Sequence, residues 1–162
     1  MLDHPAQYAA ARVQAVILCG LQGSGKTTLY RDRFLETHAR VSMDLLRTRA
    51  REAAFLRVCL ETRMPFVVDN TNPTVAERAR YVKPAREAGY RVVGYLVEVD
   101  FGLAGARNAA RARVVAPAGL RDVARRFVRP TLEEGFDELF HATAARDGGW
   151  RIEPLLTTPP LF

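Results

Sequence analysis

Eight consecutive residues, Gly20-Leu21-Gln22-Gly23-Ser24-Gly25-Lys26-Thr27, constrain this chain more than anything else in it. They satisfy the pattern G-x-x-x-x-G-K-[ST] and stand between an apolar run, Val13 to Cys19, and a segment that reads as a helix. Glycines let successive backbone N–H groups wrap a phosphate where a Cβ would intrude, and the helix N-terminus adds its positive end. A turn that only joins strand to helix has no need of the lysine. The pattern arises by chance in about one such sequence in a thousand. The segment is therefore read as a phosphate cradle. Gly20, Gln22, Gly23, Ser24 and Gly25 supply the loop, with Lys26, Thr27 and Thr28 opening the helix. Lys26 reaches the outer phosphates of ATP or another nucleoside triphosphate, and the Thr27 hydroxyl is placed for Mg²⁺.

The rest of the chain alternates apolar strands with helices, which predicts an α/β fold around a parallel sheet. Strands are expected at 13–19, 40–42, 66–69 and 91–99. Helices are expected at 26–37, 45–62, from Asn72-Pro73 to Gly89, at 103–111 and at 118–128. In the second of these Leu46, Ala53, Leu56 and Leu60 mark the apolar face. Asn72 is read as the N-cap of the third, with Pro73 at its first position. The tail after Phe140 is the least readable part, broken by Gly148-Gly149 and Pro159-Pro160, with Trp150-Arg151-Ile152 a further candidate strand.

At 162 residues the chain is expected to form one domain, 1–162, with a lid at about 101–128 and a core that needs no disulfides. Cys19 and Cys59 lie in apolar stretches without metal-ligand spacing, and His4, His38 and His141 do not cluster, so buried reduced thiols are expected. No stretch is long and apolar enough to span a membrane, and Asp3 and His4 stand where a secretory leader would carry bases, so a cytoplasmic location is expected. The net charge is +6, and of 24 bases only Lys26 and Lys83 are lysine. That surplus fits a polyanionic partner, because arginine grips phosphate as a fork, and it equally fits a genome that favours arginine.

A phosphate cradle leaves GTPases, ATPases and kinases open. The Asn-Lys-x-Asp base reader of guanine-specific switches is missing around Lys83, and a motor ATPase needs a larger domain. Asp44, after the second strand, would face the same crevice as the cradle. It can accept the proton of an attacking hydroxyl, or it can cap a helix. Arg47, one turn on, could hold an anionic acceptor. Asp69 ends the third strand in Asp69-Asn70-Thr71-Asn72-Pro73, placed for Mg²⁺ or its waters, although the same residues also suit a polar turn. Arg107, Arg111 and Arg113 fall within seven residues, as a lid over the triphosphate or as a solvated helix face.

Taken together, the glycine loop, Asp44-x-x-Arg47, Asp69-Asn70-Thr71-Asn72-Pro73, Arg78-Ala79-Arg80-Tyr81-Val82, Arg107-Asn108-x-x-Arg111 and Pro130-Thr131-Leu132-x-Glu134-Gly135-Phe136 resemble the kinase domain of polynucleotide 5′-hydroxyl kinases, over residues 14 to 140. The resemblance implies a kinase-type P-loop three-layer sandwich with an arginine-bearing helical lid. It also implies transfer of the γ-phosphate of ATP or another NTP to the 5′-hydroxyl of DNA or RNA in end repair. Lys26 and Thr27 would hold triphosphate and Mg²⁺, and Asp44 would be the general base. Arg47 would contact the acceptor phosphate, with Asp69 and Asn70 on the acceptor and metal side, and Arg111 and Arg107 would clamp the donor. The partners implied are nucleic acid 5′ ends, with a separate phosphatase and ligase in end repair. Two departures stand out. Met43 occupies a position that is basic in many relatives, and the chain has no Asp-x-Asp phosphatase signature, so a stand-alone kinase is expected. The alternative is a small-molecule kinase acting on a nucleoside, sugar or nucleotide-sugar; a non-catalytic nucleotide-binding module is the third reading.

Overall fold

A computed structural model describes residues 12–99 and 117–155. The elements in chain order are β1 (Gln14–Cys19), α1 (Lys26–Arg33), β2 (Ala39–Val41), α2 (Met43–Leu46), α3 (Arg49–Thr62), β3 (Phe66–Asp69), α4 (Val75–Glu87), β4 (Arg91–Val97), α5 (Pro117–Arg126), a 3₁₀ turn (Leu132–Glu134), β5 (Glu138–Ala144) and β6 (Trp150–Pro154). The strands form one six-stranded sheet in the order β2-β3-β1-β4-β5-β6. All neighbours run parallel except β5 and β6.

The central strands are continuous apolar runs because both faces of the sheet are covered. Ala15, Ile17 and Cys19 of β1 face Leu56 and Cys59 of α3 and Tyr81, Val82 and Ala85 of α4. Val16 and Leu18 face Leu29 and Tyr30 of α1 and Phe34 just after it. This is the expected three-layer α/β arrangement. Cys19 and Cys59 are buried free thiols, and burial pushes the Cys19 thiol up to about 12.

Several expectations change. Residues 45–62 are not one helix: α2 ends at Arg47, whose φ of 74° breaks the run, and α3 restarts behind Thr48, which accepts a cap bond from the Arg51 amide. The buried face of α3 is Glu52, Leu56 and Cys59, while Ala53 is exposed. Asn72 does not cap α4. Thr74 does, in a reciprocal capping box with Glu77, and Asn72 sits left-handed at φ 46° with its side-chain amide turned inward. The first helix stops at Arg33. The candidate strand at Trp150-Arg151-Ile152 is present as β6, and it pairs antiparallel with β5, a strand that the sequence did not announce. The expected 103–111 helix, and with it Arg107, Arg111 and Arg113, lies outside the described residues. No helix among the described residues is long and apolar enough to cross a membrane.

Parallel order puts the carboxyl ends of β1, β2 and β3 on one edge, with Leu18 opposite Asp69 and Val41 opposite Val68. The cradle, α2 and the Asp69 loop all leave the sheet there, where open α/β sheets bind ligands.

Candidate active site

The glycine loop owes its shape to contacts as close as its composition suggests. A Cβ on Gly20 would come within 2.5 Å of the Val97 carbonyl oxygen and 2.7 Å of Ser24 Oγ, and Gly23 and Gly25 have φ of 78° and 103°. Gly25 is the N-cap of α1, so no side chain occupies the helix's first amides. Lys26 is buried and donates from Nζ to the carbonyls of Gly20 (2.9 Å) and Leu21 (2.8 Å).

Thr27 Oγ1 donates to Asp69 Oδ2 at 2.9 Å. The same oxygen accepts from Arg40 Nε at 2.9 Å, with Arg40 Nη2 2.8 Å away. Asp69 is 6% exposed, so the Arg40 guanidinium supplies the charge compensation that a buried carboxylate requires. The structure thus brings Thr27 and Asp69 together, as the sequence suggested, and adds Arg40, which the sequence reading missed. A hydroxyl beside a carboxylate is hard-oxygen chemistry that fits Mg²⁺, an ion commonly bound by one or two protein groups plus substrate phosphates and water.

A cleft of about 420 Å³ gathers Gln22, Lys26 and Thr27 of the cradle, Met43, Asp44 and Arg47 around α2, Arg49, and Asp69, Asn70 and Thr71. Asp44 lies in the first turn of α2 behind Ser42, so it is not the N-cap. Arg47 closes that turn, its amide bonding Met43 O at 2.8 Å, and Asp44 and Arg47 both line the cleft without sharing a long helix. Asn70 Oδ1 accepts from the Met43 amide at 2.9 Å, tying the start of α2 to the end of β3.

Behind that bond is a polar cluster that sequence reasoning did not anticipate. Glu52 is 2% exposed. Its Oε2 accepts from Asn70 Nδ2 (3.0 Å), and its Oε1 accepts from Tyr81 OH (2.8 Å) and Arg49 Nη1 (2.8 Å). Burial, reinforced by Glu52, raises the Tyr81 pKa. Partial burial works against the charge of Arg49, but the bonds to Glu52 and Tyr81 outweigh it and its pKa is raised.

A second unforeseen pair supports the Asp69–Pro73 loop. Arg78, fully buried, donates from Nε and Nη2 to Glu134 (2.7 and 3.1 Å) and from Nη1 to Asn72 O (2.9 Å). Asn72 in turn donates from Nδ2 to Leu18 O at 2.7 Å, just before the cradle. The late Thr131–Phe136 stretch singled out by the sequence therefore reaches the site through Glu134.

A larger cavity, about 540 Å³, lies against Gly20, Leu21 and Ser24 and is walled by Leu96, Val97, Phe127 and His141. Of these two, the smaller cleft is the one that combines the cradle with Asp44 and Asp69.

A family model described as AAA domain matches residues 16–130. A bifunctional polynucleotide phosphatase/kinase of Schizosaccharomyces pombe is 28% identical over 141 residues, covering 83% of this chain and 35% of that protein. A second relative, in Acanthamoeba polyphaga mimivirus and described as a putative bifunctional polynucleotide phosphatase/kinase, is 26% identical over 159 residues, covering 91% of this chain and 37% of its own. The chain thus spans little more than a third of these relatives' length. Among solved structures, Kti12 of Chaetomium thermophilum in complex with ADP-AlF3 superposes with a TM-score of 0.64 at 16% identity, covering 83% of this chain and 92% of that one, a likeness of fold.

Proposed function

Since the chain belongs to the AAA domain family, whose model covers residues 16–130, we propose that it is a P-loop kinase that moves the γ-phosphate of ATP or another NTP to the 5′-hydroxyl end of DNA or RNA. The observation that carries this reading is the shared cleft: phosphate cradle, carboxylate Asp44, cation Arg47 and the Thr27–Asp69 pair line one space. The two polynucleotide phosphatase/kinase relatives support the choice of acceptor.

In the proposed reaction the 5′-oxygen forms a bond to the γ-phosphorus while the bond to the β–γ bridging oxygen breaks, leaving a nucleoside diphosphate. Asp44 takes the hydroxyl proton. Arg47 holds the neighbouring acceptor phosphate, and Lys26, released from the Gly20 and Leu21 carbonyls, neutralises donor phosphates. Thr27 and Asp69 would hold Mg²⁺, with Asp69 steadied by Arg40. Bound Mg²⁺ supplies charge neutralisation on the triphosphate. Arg107 and Arg111, in the arginine-rich stretch after β4, are proposed to contact the donor. The reading covers a single kinase domain.

The test is transfer of labelled γ-phosphate to a panel: a 5′-hydroxyl oligonucleotide, the same strand already 5′-phosphorylated, a nucleoside and a sugar. Label on the first alone, with a rate falling steeply as salt rises, supports the proposal. Label on the nucleoside or sugar alone assigns a small-molecule kinase. Nucleotide binding without transfer to any acceptor assigns a binding module.

A further inference from the structure

Met43 leaves the cleft without the basic side chain that the resembled kinases often carry just before the general base. The structure offers another cation there. Arg49, the first residue of α3, lines the same cleft as Asp44 and Arg47 although it lies two residues beyond the α2 turn.

Its guanidinium is held from one side only. Both described contacts are made by Nη1, to Glu52 Oε1 at 2.8 Å and Tyr81 OH at 3.1 Å, which uses the two N–H groups of that nitrogen. The side chain is 51% exposed while that of Glu52 is 3% exposed. The anchor is thus inside the protein and the head is in the cleft. Nε and Nη2 retain three N–H groups, of which Nε–H and one on Nη2 lie parallel along one edge, the fork that matches two oxygens of a phosphate. A floppy surface arginine would lose rotamer freedom on gripping a ligand; here the buried carboxylate has already fixed the head.

We propose that Arg49 is a second phosphate contact for the acceptor strand, beside Arg47, so that the cleft favours acceptors whose 5′-hydroxyl is followed by two phosphodiesters over those with one. This rests on the polynucleotide reading above. It makes Glu52 and Tyr81 positioning residues, which act on the acceptor only through Arg49 and Asn70.

The alternative role for Arg49 is purely structural, as counter-charge to Glu52, and kinetics separate the two. The assay compares kcat/KM for a 5′-hydroxyl dinucleotide, with one internal phosphodiester, against a trinucleotide with two, in wild type, Arg49→Ala, Arg49→Gln and Arg49→Lys. Wild type is expected to gain about tenfold from the second phosphodiester, the scale of one charge-assisted contact in a half-exposed site. In Arg49→Ala and Arg49→Gln the ratio falls toward one, and the log–log salt slope for longer strands drops by about 0.7, one single-strand phosphate contact. Arg49→Lys restores part of both. Melting curves check that Glu52, still bonded to Asn70 and Tyr81, keeps each variant folded. Folded variants with an unchanged length gain and salt slope overturn the proposal while leaving the polynucleotide reading in place. Wild type that phosphorylates neither acceptor overturns both.

Discussion

Replacing Glu134 with glutamine keeps the side chain's size and removes its charge, which makes it a sharp probe of the Arg78–Glu134 pair. The side chains of Arg78 and Glu134 are 0% and 7% exposed. The pair is a two-pronged fork with contacts of 2.7 and 3.1 Å, and the third Arg78 nitrogen is committed to Asn72 O. Without the carboxylate, a guanidinium stays in the interior with only neutral acceptors. Breaking a buried ion pair by removing one partner costs about 3–5 kcal/mol, against a total stability of about 5–15 kcal/mol for a typical domain. In a chain of this size 1 kcal/mol moves the melting temperature by roughly 2–4 °C, so Glu134→Gln should melt about 6–20 °C lower. The assay is thermal and urea denaturation followed by circular dichroism. The companion Arg78→Met/Glu134→Leu double variant, which buries no charge, should regain most of the loss. The reasoning is refuted if Glu134→Gln lies within about 0.5 kcal/mol of wild type, the range of a neutral surface change, or if the double variant is as unstable as the single one.

Other consequences follow from contacts within the cleft and beneath it. Gly20→Ala drives a Cβ against backbone, the Val97 carbonyl at 2.5 Å, so the loop must move; nucleotide affinity measured by calorimetry should collapse, with about 1–3 kcal/mol of stability lost to overpacking. Asp69→Asn should abolish most of the difference between nucleotide affinity with and without Mg²⁺, and an unchanged difference would remove Asp69 from the metal side. Burial lowers the His38 pKa below its ordinary value of 6.5. The unfolded chain therefore binds more protons in that window, and stability is full above about pH 6.5 and falls as pH drops through the lowered pKa. His38→Gln should flatten this part of the urea-midpoint profile against pH.

The parts of the fold that were legible in the sequence are those governed by local rules. Val67-Val68 and Val92-Val93 announce strands buried on both faces, and Gly89, at φ 80°, ends α4 as a helix-terminating glycine does. β5 escaped because Glu138-Leu-Phe-His-Ala-Thr-Ala alternates only weakly: Leu139 and Ala142 are buried but the strand opens with a carboxylate and carries His141 at its middle. Asn72 was misread for a tertiary reason. Its best partner is the Leu18 carbonyl, 54 residues away, and a left-handed backbone conformation that Asn tolerates is what delivers the amide there. In the site, the cradle and the Asp44 and Asp69 positions were visible as motifs. Arg40, Arg49 and Glu52 were not, because in an arginine-rich chain such residues look like solvated charge until Asp69, Tyr81 and Asn70 are brought beside them. Glu52 at the head of the buried stripe Glu52, Leu56, Cys59 was the available signal: a carboxylate on the core face needs a partner.

The central claim is that Asp44 and the cradle act on one 5′-hydroxyl in one cleft. Its most direct test is single-turnover transfer of labelled γ-phosphate to a 5′-hydroxyl oligonucleotide by Asp44→Asn beside wild type, with nucleotide affinity measured on the same samples. The account predicts transfer by wild type, a loss of about 10²–10⁴-fold in the variant, and nucleotide affinity essentially retained. Transfer by Asp44→Asn at the wild-type rate, or wild type that binds nucleotide yet never labels the 5′ end, would contradict it.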